Sequence, residues 1–320
     1  MRYRKLAGKD ASVIALGSVP FGATMSEAQS FEFMDAFRDM GGTFIDTARV
    51  YGDFVRDIPG LAEETIGRWM AARHNREDLV IGTKGGHPRL QSMHTGRLDR
   101  ESLLSDMADS LEALQTDYVD VYWLHRDDLS RPVGDILESL NLFVQRGQAR
   151  LLGASNWTWQ RIAEANEYAA AHGMAGFAAN QPQFSLARQM LVEDDTLVQM
   201  DGPTHAFHER AGLPCVCFSS QAKGFFIKLH DQGLETMPDK ALRRFNSPEN
   251  MAVYERLCAL SLETGHSVGA LQLAYLTCQS FDTYPIAGAS RVEQVQALRE
   301  AGDLVLTPDQ VRFLRDFADE

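Results

Sequence analysis

Cysteine is scarce in this 320-residue chain. The four present, Cys215, Cys217, Cys258 and Cys278, have spacings that match neither a zinc site nor a disulfide framework, so buried reduced thiols and no metal site are expected. Cys215 and Cys217 would share one face of a short strand, where two small apolar side chains are the commoner arrangement. Long apolar runs are missing too. Nothing reaches the length of a membrane span, and the basic start MRYRKLAGKD leads into no signal-peptide-like stretch, so a cytoplasmic protein without a membrane partner is expected. Positive charge is in deficit: 31 Lys and Arg against 44 Asp and Glu give a formal net charge of -13. That balance argues against a nucleic acid or an anionic lipid surface as the main partner, and any anion bound must meet a local positive pocket. No linker, low-complexity stretch or charge block divides the chain, so residues 1–320 are expected to form one domain.

What is present reads as an ordinary folded protein, 44% hydrophobic and 23% charged, with ample material for a core. Short β-branched or apolar runs alternate with longer segments of helical period throughout. Eight runs read as strands: Val13–Ser18, Thr43–Ala48, Leu79–Lys84, Val119–His125, Ala149–Asn156, Phe177–Phe184, Pro214–Ser220 and Thr283–Gly288. Between them lie amphipathic segments such as Glu27–Met40, Arg100–Gln115, Val133–Arg146 and Thr158–His172, several closed by a glycine, as Gly41 closes the first. Eight βα units in one piece predict an α/β protein built as a single (β/α)₈ TIM barrel. Met1–Lys9 would add an N-terminal hairpin over the barrel floor, and Thr307–Ala318 a C-terminal helix. Three connections, Gly85–Asp99, Ser185–Thr204 and Ala222–Ser247, are too long for simple turns, and each follows the C-terminal end of a strand, where barrel active sites are built.

Polar residues gather at those strand ends. Asp46 follows FI, Tyr51 lies in the next loop, Lys84 closes LVIGTK and His125 closes VDVYWLH. With neighbouring strands about 4.8 Å apart, side chains from the second, third and fourth can meet in one pocket. A phenol exchanges protons poorly near neutrality, but an adjacent ammonium favours phenolate, and a carboxylate would hold that ammonium charged and in place. His125 would then hydrogen-bond a carbonyl oxygen as charge develops on it. Lys84 could instead serve as a Schiff-base amine in a lyase or aldolase, but a lysine paired with Asp46 stays protonated and cannot attack a carbonyl.

The runs GTFIDTARVYGD, LVIGTKGG and SLEALQTDYVDVYWLHRDD resemble the signature regions of the aldo-keto reductases. The likeness continues through GASNW, NQPQF, CFSSQAKGF and IAGASRVEQ, each at a later strand end, so it spans nearly the whole chain. It implies an oxidoreductase that passes hydride between a nicotinamide cofactor and a small carbonyl substrate. Asp46, Tyr51, Lys84 and His125 fall on the family's catalytic tetrad, with Tyr51 as general acid in reduction. The cofactor would lie extended across the barrel mouth, without the Gly-rich fingerprint of a Rossmann domain, which is absent here. Ser155, Asn156 and Gln181 would hold the nicotinamide carboxamide, and Phe184 would stack on the ring where the family usually has Tyr. Ser219, Gln221, Lys223 and Gly224 map to the stretch over the pyrophosphate, and Gly288, Ser290, Arg291 and Gln294 to the adenosine-phosphate end.

Ser290 also reads as a helix N-cap, and a helix N-terminus with an arginine suits the 2′-phosphate of NADPH. Ala297 and Leu298 stand where the family usually has Glu and Asn against the adenine, so NADH remains possible beside NADPH. A cofactor-binding regulatory subunit, like the family's relatives that accompany potassium channels, is the other class of reading, which the complete tetrad argues against. With Glu320 ending the chain just past its last helix, an open mouth is expected, lined by Phe21, Phe54, His87, Trp123, Arg126 and Trp157. Aromatic faces beside His87, Arg126 and Asp127 would suit a polyhydroxylated aldehyde or sugar.

Overall fold

The computed structural model describes residues 1–56 and 60–315, with the backbone but not the side chains of Phe54 and Arg56. It begins with an antiparallel hairpin of β1 (Tyr3–Leu6) and β2 (Lys9–Ser12). Ala7 and Gly8 turn it with φ of 52° and 81°, the two positive angles that a two-residue type I′ hairpin requires. Seven parallel strands follow in one sheet: β3 (Ala15–Gly17), β4 (Phe44–Asp46), β5 (Val80–Gly85), β6 (Val119–Leu124), β7 (Ala149–Ser155), β8 (Phe177–Gln181) and β9 (Ile286–Ala287), in the spatial order β8-β7-β6-β5-β4-β3-β9.

The run expected as a seventh barrel strand, Pro214–Ser220, closes the gap between β8 and β9 without becoming a regular strand. Cys215 bridges Asn180 on one side and Thr283 on the other. Backbone bonds run from Val216 N to Asn180 O (2.9 Å) and from Cys217 N to Tyr284 O (3.0 Å). Pro182, Pro214 and Pro285 each lack the N–H that a continuous ladder needs, and Ser219 turns to φ 53°, which leaves only a few residues to pair.

Helices cover the outside of the sheet: α1 (Glu27–Asp39), α2 (Asp53–Arg56), α3 (Leu61–Arg73), α4 (Arg100–Leu114), α5 (Val133–Gln145) and α6 (Trp159–His172). Then come α7 (Gly202–Ala211), α8 (Phe225–Gln232), α9 (Asp239–Phe245), α10 (Pro248–Thr264), α11 (Val268–Thr277), α12 (Val292–Asp303) and α13 (Pro308–Leu314). Ser26, Asp99 and Thr158 cap α1, α4 and α6, each accepting a backbone N–H in the first turn. Two expectations change. Residues 222–247 hold α8 and α9 rather than a plain loop, and α12 takes Arg291, not Ser290, as its N-cap, with Gln294 Oε1 accepting from both backbone N–H groups.

Alternation along the strands divides two cores. Phe44, Val80, Val121, Trp123, Ala179 and Tyr284 fill the barrel interior, while Ile45, Ile81, Tyr122 and Leu124 face the helices. Trp123 was expected at the mouth, but it is fully buried in the interior. Its indole uses the room left by two glycines, since a Cβ on Gly82 would come 2.8 Å from its Nε1 and one on Gly153 2.1 Å from its ring. No helix among the described residues is long and apolar enough to cross a membrane.

Candidate active site

The same alternation aims the chemistry. Asp46, Lys84, His125, Ser155 and Gln181 each lie two residues beyond an interior position, Phe44, Gly82, Trp123, Gly153 and Ala179, so all five project inward at the C-terminal end of the barrel. Backbone bonds carry the ladders up to this level, from Thr47 N to Gly82 O (2.8 Å), Arg49 N to Lys84 O (3.0 Å) and His125 N to Gly85 O (2.9 Å). The residues are thus placed by sheet geometry, not by flexible loops.

Lys84 is the hub. Its ammonium donates to Asp46 Oδ2 at 2.5 Å, to the Thr47 carbonyl at 2.7 Å and to the Tyr51 hydroxyl at 3.2 Å. Gln181 Nε2 donates to the other Asp46 oxygen at 2.9 Å. Lys84 and Asp46 are almost wholly removed from water, at 1% exposure each. Burial by itself would lower the lysine pKa, but Asp46 and Tyr51 more than offset it, and Lys84 is held charged. Burial pushes the Asp46 carboxyl up, against the pull of Lys84 and Gln181.

Tyr51 departs from the sequence expectation. Burial raises its phenol above the ordinary value, and the Lys84 charge opposes this without overcoming it. The group is therefore a protonated phenol near neutrality. His125 meets the Tyr51 ring edge-on at 5.9 Å and the His87 ring at 4.6 Å. Burial drives His125 well below the ordinary histidine value and His87 down to about 4, so both imidazoles are neutral.

Two side chains hold the carbonyl of His125: Asn156 Nδ2 at 3.1 Å and Arg126 Nη1 at 2.9 Å. Asn156, at φ 61°, sits in the left-handed region that asparagine tolerates, and its amide also donates to Ser155 Oγ and accepts from Val198 N. Ser155 Oγ donates to the Gln181 carbonyl at 2.8 Å. Of the expected carboxamide set, the structure therefore brings Ser155, Asn156 and Gln181 together and engages each within the protein. Phe184, three residues past Gln181, is buried, its ring edge-on to Tyr275.

The segments expected to pass over the pyrophosphate and the adenosine meet. Gly288 N donates to Gln221 Oε1 at 3.0 Å, and Ser219 and Lys223 take φ of 53° and 57°. Exposed Lys223 has its ammonium pulled below the ordinary value by the surrounding protein and by two cations that sequence reading did not single out, Arg244 and Lys240. Among the described residues Glu193 answers those two, 3.0 Å from Lys240 and in contact with Arg244. Cations gathered beside Ser219–Gly224 suit a diphosphate, so the residues present fit a dinucleotide. Arg291 is exposed at the start of α12.

The residues expected to line the mouth scatter. His87 packs edge-on against His125, the Arg126 charge reaches Tyr51, and Phe21 is buried in the outer core, as is Trp157, edge-on to Phe177 at 5.0 Å. Trp123 lies inside the barrel, and the Phe54 side chain lies outside the described residues. Asp127 turns away to Arg161 of α6 at 3.3 Å, which removes part of the case for a polyhydroxylated substrate.

Behind Lys84 lies a carboxyl that sequence reading missed. Glu63 of α3 is fully buried and accepts from Thr83 Oγ1 at 2.5 Å. Burial lifts it from 4.5 to about 7, against that hydrogen bond. A carboxyl raised in the fold keeps its proton where the unfolded chain has lost it. Its contribution to stability is therefore highest below the unfolded value and declines as pH climbs through the window between 4.5 and about 7. Glu63→Gln does not titrate. Its stability relative to wild type should rise by roughly 3 kcal/mol between about pH 4 and about pH 8, read from urea unfolding across that range. A flat difference would mean that Glu63 titrates as it does in the unfolded chain.

Against known proteins, the profile described as the aldo/keto reductase family matches residues 13–319. An aryl-alcohol dehydrogenase of Pestalotiopsis microspora is 30% identical, covering 90% of this chain and 72% of its own length. The NADP(+) aryl-alcohol dehydrogenase of Phanerodontia chrysosporium is 28% identical over 98% of this chain and 85% of its own. Norsolorinic acid reductase of Aspergillus flavus is 28% identical over 97% and 78%. The crystal structure of a thermostable aldo-keto reductase with the inhibitor epalrestat superimposes with a TM-score of 0.71 at 23% identity, covering 98% of each chain, and shows the shared fold.

Proposed function

We propose, from the premise that this chain belongs to the aldo/keto reductase family, that it reduces an uncharged aldehyde or ketone to an alcohol, with Tyr51 as the proton donor. The observation that carries the reading is the buried chain Asp46–Lys84–Tyr51 with neutral His125 across from the phenol. The bound nicotinamide would supply the hydride. Ser155, Asn156 and Gln181 would orient its carboxamide, Phe184 would pack on its ring, Ser219, Gln221, Lys223 and Gly224 would enclose the diphosphate, and Gly288, Ser290, Arg291 and Gln294 would meet the adenosine-phosphate end.

The protein's own groups handle the proton. As the carbonyl oxygen gains negative charge, the Tyr51 hydroxyl passes its proton to it, and the adjacent Lys84 ammonium stabilises the phenolate left behind. Asp46 keeps that ammonium charged and aimed. Neutral His125 can donate a hydrogen bond to the same oxygen, which a charged imidazolium beside Lys84 and Arg126 would do only at a cost in repulsion.

Names of relatives point to aryl substrates, so a panel of benzaldehydes, aliphatic aldehydes, ketones and sugars, each with NADPH and with NADH, is the direct test. Turnover of none of them with either cofactor would overturn the reading. We take NADPH as the preferred cofactor, on the guanidinium at the start of α12. Arg291→Ala should then weaken NADPH by about 1.5–3 kcal/mol, as expected for a charge-assisted bond to the 2′-phosphate, and leave NADH nearly untouched. Equal weakening of both in a binding titration would remove Arg291 from the site and favour NADH.

A further inference from the structure

One cation at the mouth is not part of the Asp46–Lys84 pair. Arg126 follows His125 directly, and its guanidinium is close enough to Tyr51 and His87 for its charge to act on both. It is largely buried, with its side chain 10% exposed. Three of its donors are committed: Nη1 to the His125 carbonyl (2.9 Å), Nε to Thr196 Oγ1 (2.9 Å) and Nη2 to Asp194 Oδ2 (3.3 Å). Thr196 closes the ring by donating its hydroxyl to Asp194 Oδ1 at 2.5 Å and its backbone N–H to the same oxygen at 3.0 Å. Asp194 thus lies about seventy positions along the chain from the arginine it neutralises, in the long connection that follows β8.

We propose that Asp194 is a specificity-determining residue: by cancelling the charge of Arg126 beside the reacting centre, it makes the mouth select uncharged carbonyl substrates over those carrying a carboxylate. This rests on the carbonyl-reductase reading above. A guanidinium has five N–H donors, so Arg126 keeps two beyond the three committed here. What it lacks is net charge to offer. With Lys84 paired to Asp46, Arg126 paired to Asp194 and both histidines neutral, an entering carboxylate loses its hydration and meets no uncompensated positive charge among these four groups at the reacting centre. Asp194→Asn keeps one acceptor oxygen, enough for Thr196, while removing the negative charge and the oxygen that faces Arg126, which exposes the arginine to an anionic group on the substrate.

The test compares 4-carboxybenzaldehyde with 4-nitrobenzaldehyde, two para-substituted aldehydes that differ mainly in charge. Asp194→Asn should raise the carboxylate-to-neutral ratio of kcat/KM by about tenfold at low salt, an advantage that shrinks as added salt screens it. Adding Arg126→Met to that variant should return the ratio to the wild-type value, because the charge being unmasked is gone. Benzoate binding, followed by isothermal titration, gives a readout that needs no turnover. It should tighten by a similar factor in Asp194→Asn and not in the double variant. Equal changes for both aldehydes together with unchanged benzoate affinity would overturn the proposal. Failure of the wild-type protein to reduce either aldehyde would instead strike at the carbonyl-reductase reading, with the benzoate titration still deciding whether Asp194 masks Arg126.

Discussion

Tyr51→Phe is expected to lower the rate of aldehyde reduction by about a thousandfold, within the range of a positioned general acid, while cofactor affinity and fold stay close to wild type. The substitution removes one oxygen. Lys84 loses its 3.2 Å bond to that oxygen but keeps Asp46 and the Thr47 carbonyl, so the buried ion pair survives. Because the phenol lies above its ordinary value, the wild-type acid stays protonated through neutrality, and reduction should not fall with rising pH on its account until the alkaline range. Steady-state rates on a reducible aldehyde, with cofactor binding measured separately, check this. Retention of more than about a tenth of the activity would mean that another group delivers the proton.

The second large effect lies in the ion pair, where the structure sharpens what can be measured. Lys84→Met leaves Asp46 buried with Gln181 as its remaining donor, and stranding a buried charge costs about 3–5 kcal/mol of stability. It also removes the one nearby cation that most opposes the burial of Tyr51, so the phenol should move still higher. Alcohol oxidation is the sensitive direction, since it needs phenolate as base; its rate should rise with pH, and in the variant that rise should move to more alkaline values. Asp46→Asn removes a carboxylate whose charge raises the phenol, so with Lys84 still charged the profile should move towards lower pH, while the rate falls because Lys84 is no longer held in place. The double variant should recover stability relative to Lys84→Met and cost much less activity than the product of the single losses. Independent, multiplicative losses with an unmoved pH profile would show that Lys84 and Asp46 do not act as one unit.

Much of this site is written in local pattern. The two-residue period of the strands decides that Asp46, Lys84 and His125 share the inward face with Phe44, Val80 and Trp123, and strand order in a βα barrel makes their strands neighbours. The alternation of parallel strands and helices and the N-terminal hairpin are legible for the same reason: each depends on residues close together in the chain. The proline-broken closure at Pro214–Ser220 was less so, because whether a run pairs as a strand depends on the N–H groups of its partners as well as its own.

Other features required the fold. From sequence, only the Lys84 charge bears on the Tyr51 phenol, which implies a lowered value; burial reverses that sign, and burial belongs to the packed site. Trp123 and Trp157 read from sequence as walls of the mouth, and neighbours such as Gly82, Gly153 and Phe177 place both in the packed interior. Glu63 behind Thr83 and Asp194 on Arg126 lie 20 and 68 residues from their partners. No periodicity links such positions. The sequence by itself determined the barrel, the inward row of reactive side chains and the family. Only the tertiary structure decided which charges cancel, which groups lose their water and hence which protonation state each carries, because those depend on contacts between residues that the chain brings together only when it folds.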